Sequence, residues 1–251
     1  MNLTQAASVF ANGVSMPRLL VSVRNVAEAQ MAIDEGVQLI DVKEPKAGSL
    51  GAASVESIRQ VAAVCDRNAL LSVALGELLE IPESHLPDGI LPTFVKCGLA
   101  GCCQQSHWTA LWEKRMEGRR QSAVAVVYAD WLGAKAPSPD TIVKHAARVG
   151  CQTVLLDTFD KSKGNLLAHM TRDEIHRWMT MVQASGMKAV VAGSLTQSLI
   201  APFLEDGVDC IALRGAACRG SRTGGLDRDK LGQLVREVAS VPTSGSNSLT
   251  A

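Results

Sequence analysis

Short apolar runs alternate with longer amphipathic stretches along nearly the whole chain. The runs cover residues 18–24, 38–43, 69–75, 93–97, 123–128, 153–157, 188–192 and 210–214, and each is rich in Val, Leu and Ile. A strand covered on both faces needs apolar side chains on both, so continuous runs predict a parallel sheet packed by helices. Helical periodicity follows most of them, at 26–35, 54–65, 105–117, 139–149, 171–184, 196–204 and 226–239. Eight such units favour closure into an α/β (β/α)₈ TIM barrel, with an open doubly wound sheet as the rival architecture. The stretch 77–91 breaks the rhythm: prolines in or beside it predict a short or irregular third crossover.

A length of 251 residues suits one such barrel. Residues 17–240 are expected to form a single catalytic domain, with 1–16 and 241–251 as loose terminal segments. Lys+Arg and Asp+Glu both total 25, so there is no basic excess of the kind a nucleic-acid surface needs. No apolar run is long enough to span a membrane, and the N-terminal stretch lacks the pattern of a secretory signal. Seven cysteines without regular pairing fit reduced thiols, and the expectation is a soluble cytoplasmic protein. The five histidines show no metal-site spacing, and no GxGxxG follows the first run. Chemistry is therefore expected from side chains alone, with no metal and no cofactor. Trp108 and Trp112, four apart on a predicted helix, are expected to mark a packing face, which is compatible with a homo-oligomer.

In a barrel, the active site lies at the C-terminal ends of the strands. The second run ends Asp41-Val42-Lys43, and residues two apart on a strand face the same way, so Asp41 and Lys43 can both point inward. The fourth ends with Lys96, and the sixth with Asp157, followed by Lys161. Several ammonium groups in one cavity repel one another, which lowers at least one pKa and frees a nucleophilic amine. That is the condition for an imine with a carbonyl substrate. The competing reading of each Asp–Lys pair is a structural ion pair. After the seventh run, Gly193-Ser194 leads into a predicted helix start. After the eighth comes a loop from Arg214 and Gly215 through Arg219, Gly220 and Arg222. Barrel phosphate sites often form after strands seven and eight, so Gly193, Ser194, Arg214, Gly215, Arg219 and Gly220 are candidate phosphate ligands. Tyr128, at the end of the fifth run, is weighed as either a substrate contact or a structural residue.

At these residues the sequence resembles the (5-formylfuran-3-yl)methyl phosphate synthase family. The resemblance runs through LLVSVRNVAEAQMAIDEGVQLIDVKEPKAGSLGA, VKCGLAG, VVYAD, LLDTFDKSKGNLL, VAGSL and IALRGAACRG, covering about residues 18–225. It implies a carbon–oxygen lyase acting on phosphates, which condenses two glyceraldehyde 3-phosphate molecules with loss of phosphate and two waters. The product is the furan precursor of methanofuran-type C1 carriers. It further implies that Lys43 forms the Schiff base, that Lys96 and Lys161 assist, and that Asp41 and Asp157 act as acid/base carboxylates. Two alternatives stay open: another class I aldolase or sugar-phosphate isomerase on the same scaffold, and a non-catalytic binder of phosphorylated metabolites.

Overall fold

A computed structural model of the chain describes residues 16–80 and 86–242. Eight parallel strands close into a barrel in sequence order. They are β1 (Leu19–Val23), β2 (Leu39–Val42), β3 (Leu70–Glu77), β4 (Phe94–Gly98), β5 (Ala123–Tyr128), β6 (Thr153–Asp157), β7 (Lys188–Val191) and β8 (Cys210–Leu213). The helices are α1 (Val26–Asp34), α2 (Val55–Cys65), α3 (Trp108–Arg115), α4 (Pro139–Val149), α5 (Arg172–Ala184), α6 (Ile200–Glu205) and α7 (Arg228–Ser240). Five of the seven starts carry a side-chain cap; α3 and α6 do not. Ser54 accepts from the Ser57 amide, Thr171 and Glu174 form a reciprocal capping box, and Ser138 precedes a proline that opens α4.

The continuous apolar runs follow from burial on both strand faces. One set of side chains, including Leu20, Leu39, Phe94, Val126, Leu155 and Val190, fills the barrel. The alternate set, including Val21, Ile40, Val95, Val127, Leu156 and Ile211, packs outward against the helices. Between β3 and β4 the described residues form turns, as the prolines predicted; 81–85 lie outside the described residues.

Met16 is buried and packs with the interior cluster, and Val241 is buried with its carbonyl accepting from Arg18 at 2.5 Å. Residues 1–15 and 243–251 lie outside the described residues. The helix expected to start at residue 196 starts at Ile200, after a 3₁₀ turn at Gln197–Leu199. Trp108 and Trp112 are buried edge-on against His145 of α4, with ring centroids 5.1 and 5.6 Å away. They form the expected packing face, which joins α3 to α4 within the chain. All seven cysteines are free. No helix of the described residues is long and apolar enough to cross a membrane.

Candidate active site

Near the C-terminal ends of the strands, the inward row changes from apolar to charged. On β2, Leu39 is followed by Asp41 and then by Lys43; on β4, Phe94 is followed by Lys96; on β6, Leu155 is followed by Asp157. The two-residue period that fills the core therefore also lifts these groups into the mouth.

Asp41 and Lys96 form a lower tier. Asp41 is 1% and Lys96 3% exposed. Lys96 Nζ donates to Asp41 Oδ1 at 2.5 Å and to Ser72 Oγ at 2.9 Å. Ser72 and Ser22 donate to the two Asp41 oxygens at 2.8 and 3.0 Å. A buried ion pair is tolerable when its remaining lone pairs are satisfied, and here three strands supply the donors.

Asp157 and Lys161 form an upper tier. Lys161 Nζ is ion-paired with Asp157 Oδ1 and donates to Thr158 Oγ1 at 3.0 Å. The Thr158 amide and Ser49 Oγ also reach Asp157, at 2.8 and 3.0 Å. Burial alone raises the Asp157 carboxyl, but the Lys161 and Lys43 charges and these hydrogen bonds bring it below the ordinary carboxylate range.

Lys43 lies between the tiers and differs from both lysines. Its Nζ donates to the Ser49 carbonyl at 3.2 Å, and among the described residues it is paired with no carboxylate. Burial lowers its amine from the ordinary 10.5 to about 8; Asp157 and Asp41 oppose that shift, and Lys161 and Lys96 add to it. An amine in this state is partly neutral near physiological pH, as a carbonyl nucleophile must be.

A further pair went unread in the sequence. Tyr128 Oη donates to Glu77 Oε1 at 2.6 Å, and the Ala100 amide donates to Oε2 at 2.9 Å. The predicted third run ends at residue 75 and leaves Glu77 in the irregular stretch 77–91, and strict alternation continued along β3 turns it outward, so no strand pattern pointed to it. Ser22, Ser49 and Ser72 were likewise missed, because a lone serine carries no signal without its partner.

The β7–β8 side is arranged differently. Gly193 and Ser194 both take positive φ, +103° and +51°, at the end of β7. The Ser194 and Gly215 amides donate to no protein acceptor among the described residues. Arg214 is not available as expected. It is 5% exposed, and all of its guanidinium donors are engaged: with Glu28, with the Ser22 carbonyl, and with the Arg222 and Gly224 carbonyls. It organises the loop and cannot also hold an anion. Arg219 and Gly220 lie exposed on the outer turn, where Arg219 pairs with Asp227 at 2.9 Å. In the same loop Arg222 is partly buried, reaches the Gly48 carbonyl at 2.9 Å and feels the charge of Asp157.

The model of the 4-HFC-P synthase family matches residues 19–235, a span that contains every side chain of both tiers. This chain belongs to that family. A relative from Methanococcus maripaludis, named (5-formylfuran-3-yl)methyl phosphate synthase, is 33% identical over 89% of this chain and 98% of its own. A relative of the same name from Methanocaldococcus jannaschii is 30% identical over 88% and 97%. Family members thus carry an enzyme's name. Among solved structures, thiamine phosphate pyrophosphorylase from Pyrococcus furiosus superposes with a TM-score of 0.57 at 14% identity, covering 90% of this chain and 96% of that one. The 3-hexulose-6-phosphate synthase from Salmonella typhimurium gives 0.54 at 14% identity, covering 88% and 99%. At such identities these two matches show the shared barrel and nothing about the chemistry.

Proposed function

We propose that the chain joins two molecules of glyceraldehyde 3-phosphate into (5-formylfuran-3-yl)methyl phosphate through an imine on Lys43. The atoms balance: two trioses supply six carbons, and loss of one phosphate and two waters leaves a furan aldehyde bearing the other phosphate. The product then feeds a methanofuran-type C1 carrier, as the family resemblance suggests.

The observation that carries this reading is the contrast among the three lysines. Lys96 and Lys161 are each held on a carboxylate, whereas Lys43 is held on a carbonyl with its amine pKa near 8. In the proposed sequence, one triose is isomerised to the ketone and condenses with the neutral Lys43 amine. The iminium nitrogen then accepts electrons as the neighbouring carbon loses a proton, and the resulting enamine attacks the aldehyde of the second triose. Asp157, kept ionised by Lys161, moves protons during isomerisation and elimination. Asp41, with Lys96, fixes the strand end from which Lys43 projects. The retained phosphate is assigned to the Ser194 and Gly215 amides with Gly193 and Arg222.

The test is to incubate the pure protein with glyceraldehyde 3-phosphate alone, then follow furan aldehyde phosphate by mass spectrometry and free phosphate by assay. Borohydride reduction during turnover is expected to attach substrate carbon to the Lys43 peptide. Equal furan and phosphate release supports the proposal. A trapped imine without furan points instead to another class I aldolase. Neither signal, with the fold intact, points to a binding protein.

A further inference from the structure

Strand β3 does not keep step with β4. Ala74 pairs with Lys96, but the next inward position of β4, Gly98, pairs with Glu77 rather than Gly76. One extra residue has been inserted into β3, and Gly76 sits there at φ +92°, a conformation that suits glycine. Without the bulge, Gly76 faces the mouth and Glu77 faces the helices. With it, Glu77 faces the mouth.

Its carboxyl then crosses β4 to meet Tyr128 on β5. That crossing needs Gly98, since a Cβ there collides with both Glu77 Oε2 and Tyr128 Oη. The Tyr128 ring is fully buried, stacks edge-on with Phe159 at 5.4 Å and lies in register with Asp157 on β6. A bulge, a glycine notch and a buried phenol thus cooperate to place one carboxyl on the same arc of the mouth as Asp157. Bulges beside active sites commonly re-aim a side chain in this way.

We propose that Glu77 is the general acid that protonates the hydroxyl expelled as water during ring formation. This rests on the condensation reading above. In that step Asp157 removes the proton next to the iminium carbon, and its electron pair becomes the new carbon–carbon double bond. The carbon–oxygen bond one carbon further breaks with its own electron pair. The departing oxygen takes the Glu77 proton and leaves as water. The Glu77 carboxylate is then held by the two donors already in place, Tyr128 Oη and the Ala100 amide. Solvent returns a proton to Glu77 and removes the one on Asp157, so the cycle closes.

The two carboxyls are pushed in opposite directions, which matches these roles. Burial raises Glu77, with the Tyr128 and Ala100 hydrogen bonds opposing and Glu80 and Asp157 adding to the rise, whereas Asp157 is held low.

The test is Glu77→Gln in the full chain, read by two assays. Imine trapping on Lys43 is expected to persist within a few-fold. Furan release is expected to fall by about 10² to 10⁴, and the trapped adduct is expected to retain unexpelled water. Tyr128→Phe, a milder change, removes one donor from the carboxylate and is expected to move the alkaline limb of the kcat profile to higher pH. Furan release by Glu77→Gln within a few-fold of the unaltered protein overturns the proposal. So does loss of trapping along with furan in a folded variant, or an unmoved alkaline limb in Tyr128→Phe. Failure of the condensation reading itself is seen separately, as an unaltered protein that makes no furan.

Discussion

On the β2–β6 side of the barrel mouth, lysines and carboxylates project into the cavity; on the β8 side, the arginine nearest the strand is tied into the wall. Both sets look alike in the sequence, as cations at or just beyond the ends of apolar runs. What separates them is the supply of counter-charge. Asp41 and Asp157 sit on inward positions of their own strands, so Lys96 and Lys161 meet them inside the mouth. Arg214 meets Glu28, which lies in the first turn of α1 and comes within reach because β8 closes onto β1. Glu28 also binds Arg24, and the resulting cluster pins the β8 loop. One region concentrates charge inside the barrel mouth; the other uses it to hold backbone.

The sharpest way to break this comparison is at Lys43. Lys43→Ala is expected to lower turnover by on the order of 10⁴-fold or more and to abolish borohydride trapping, with the circular dichroism spectrum unchanged. Lys43→Met is expected to be more stable than the unaltered protein at pH 7. At that pH, below both the folded value near 8 and the unfolded value of 10.5, both states hold the proton and the folded state bears the full cost of burying it. Removing that cost is worth about 1–3 kcal/mol. The advantage shrinks as pH rises from 8 towards 10.5, where the folded protein has released the proton and the unfolded chain has not. Thermal unfolding at pH 7 and pH 10 checks both the sign and the trend.

Arg214 is expected to behave in the opposite way. Arg214→Met strands Glu28 without its buried partner and frees three carbonyls, at a cost of about 3–5 kcal/mol. For a chain of this size that lowers the melting temperature by roughly 10 °C or more. A variant that keeps its melting temperature but loses substrate affinity restores Arg214 as an anion ligand and removes the contrast between the two regions.

How far the sequence reached follows the same division. The barrel was legible because burial on both strand faces leaves continuous apolar runs, and the inward lysines and aspartates were legible because strand period is local. The Arg214–Glu28 pair was not, since its partners are brought together by closure of the sheet between the two ends of the chain. Glu77 was hidden by a register shift: a single bulge inverts the facing of every later residue on the strand, and no alternation pattern survives to show it. Trp108 and Trp112 mark a packing face, as their spacing predicted, but the spacing could not say what packs there. A helix face that packs on the next helix carries the same spacing as one that packs on another subunit.

Arg222 gives the next smaller test. With Arg214 committed to the wall, Arg222 is the cation of the β8 loop left to meet a phosphate. Arg222→Ala is expected to raise KM by about 10- to 100-fold, the worth of one charge-assisted hydrogen bond, while changing kcat little. Steady-state kinetics separates the two parameters. A fall in kcat with KM unchanged places Arg222 in the chemistry and brings the β8 side closer in character to the lysine side.

The smallest expected effect bears on the lysine side itself. With an amine near 8, about a tenth of Lys43 is neutral at pH 7 and about nine-tenths at pH 9, so imine trapping should accelerate roughly tenfold across that range. Lys161 contributes to this state in two ways: its own charge lowers the Lys43 amine, and it neutralises Asp157, whose charge raises that amine. Lys161→Met removes the first effect and unmasks the second, and both push Lys43 upward. The midpoint of the trapping profile should therefore move to higher pH, and trapping at pH 7 should slow although Lys43 is intact. A midpoint that stays near 8 in this variant means that burial alone sets the Lys43 amine, and the grouping of lysines in the mouth then serves the later proton transfers rather than the making of the nucleophile.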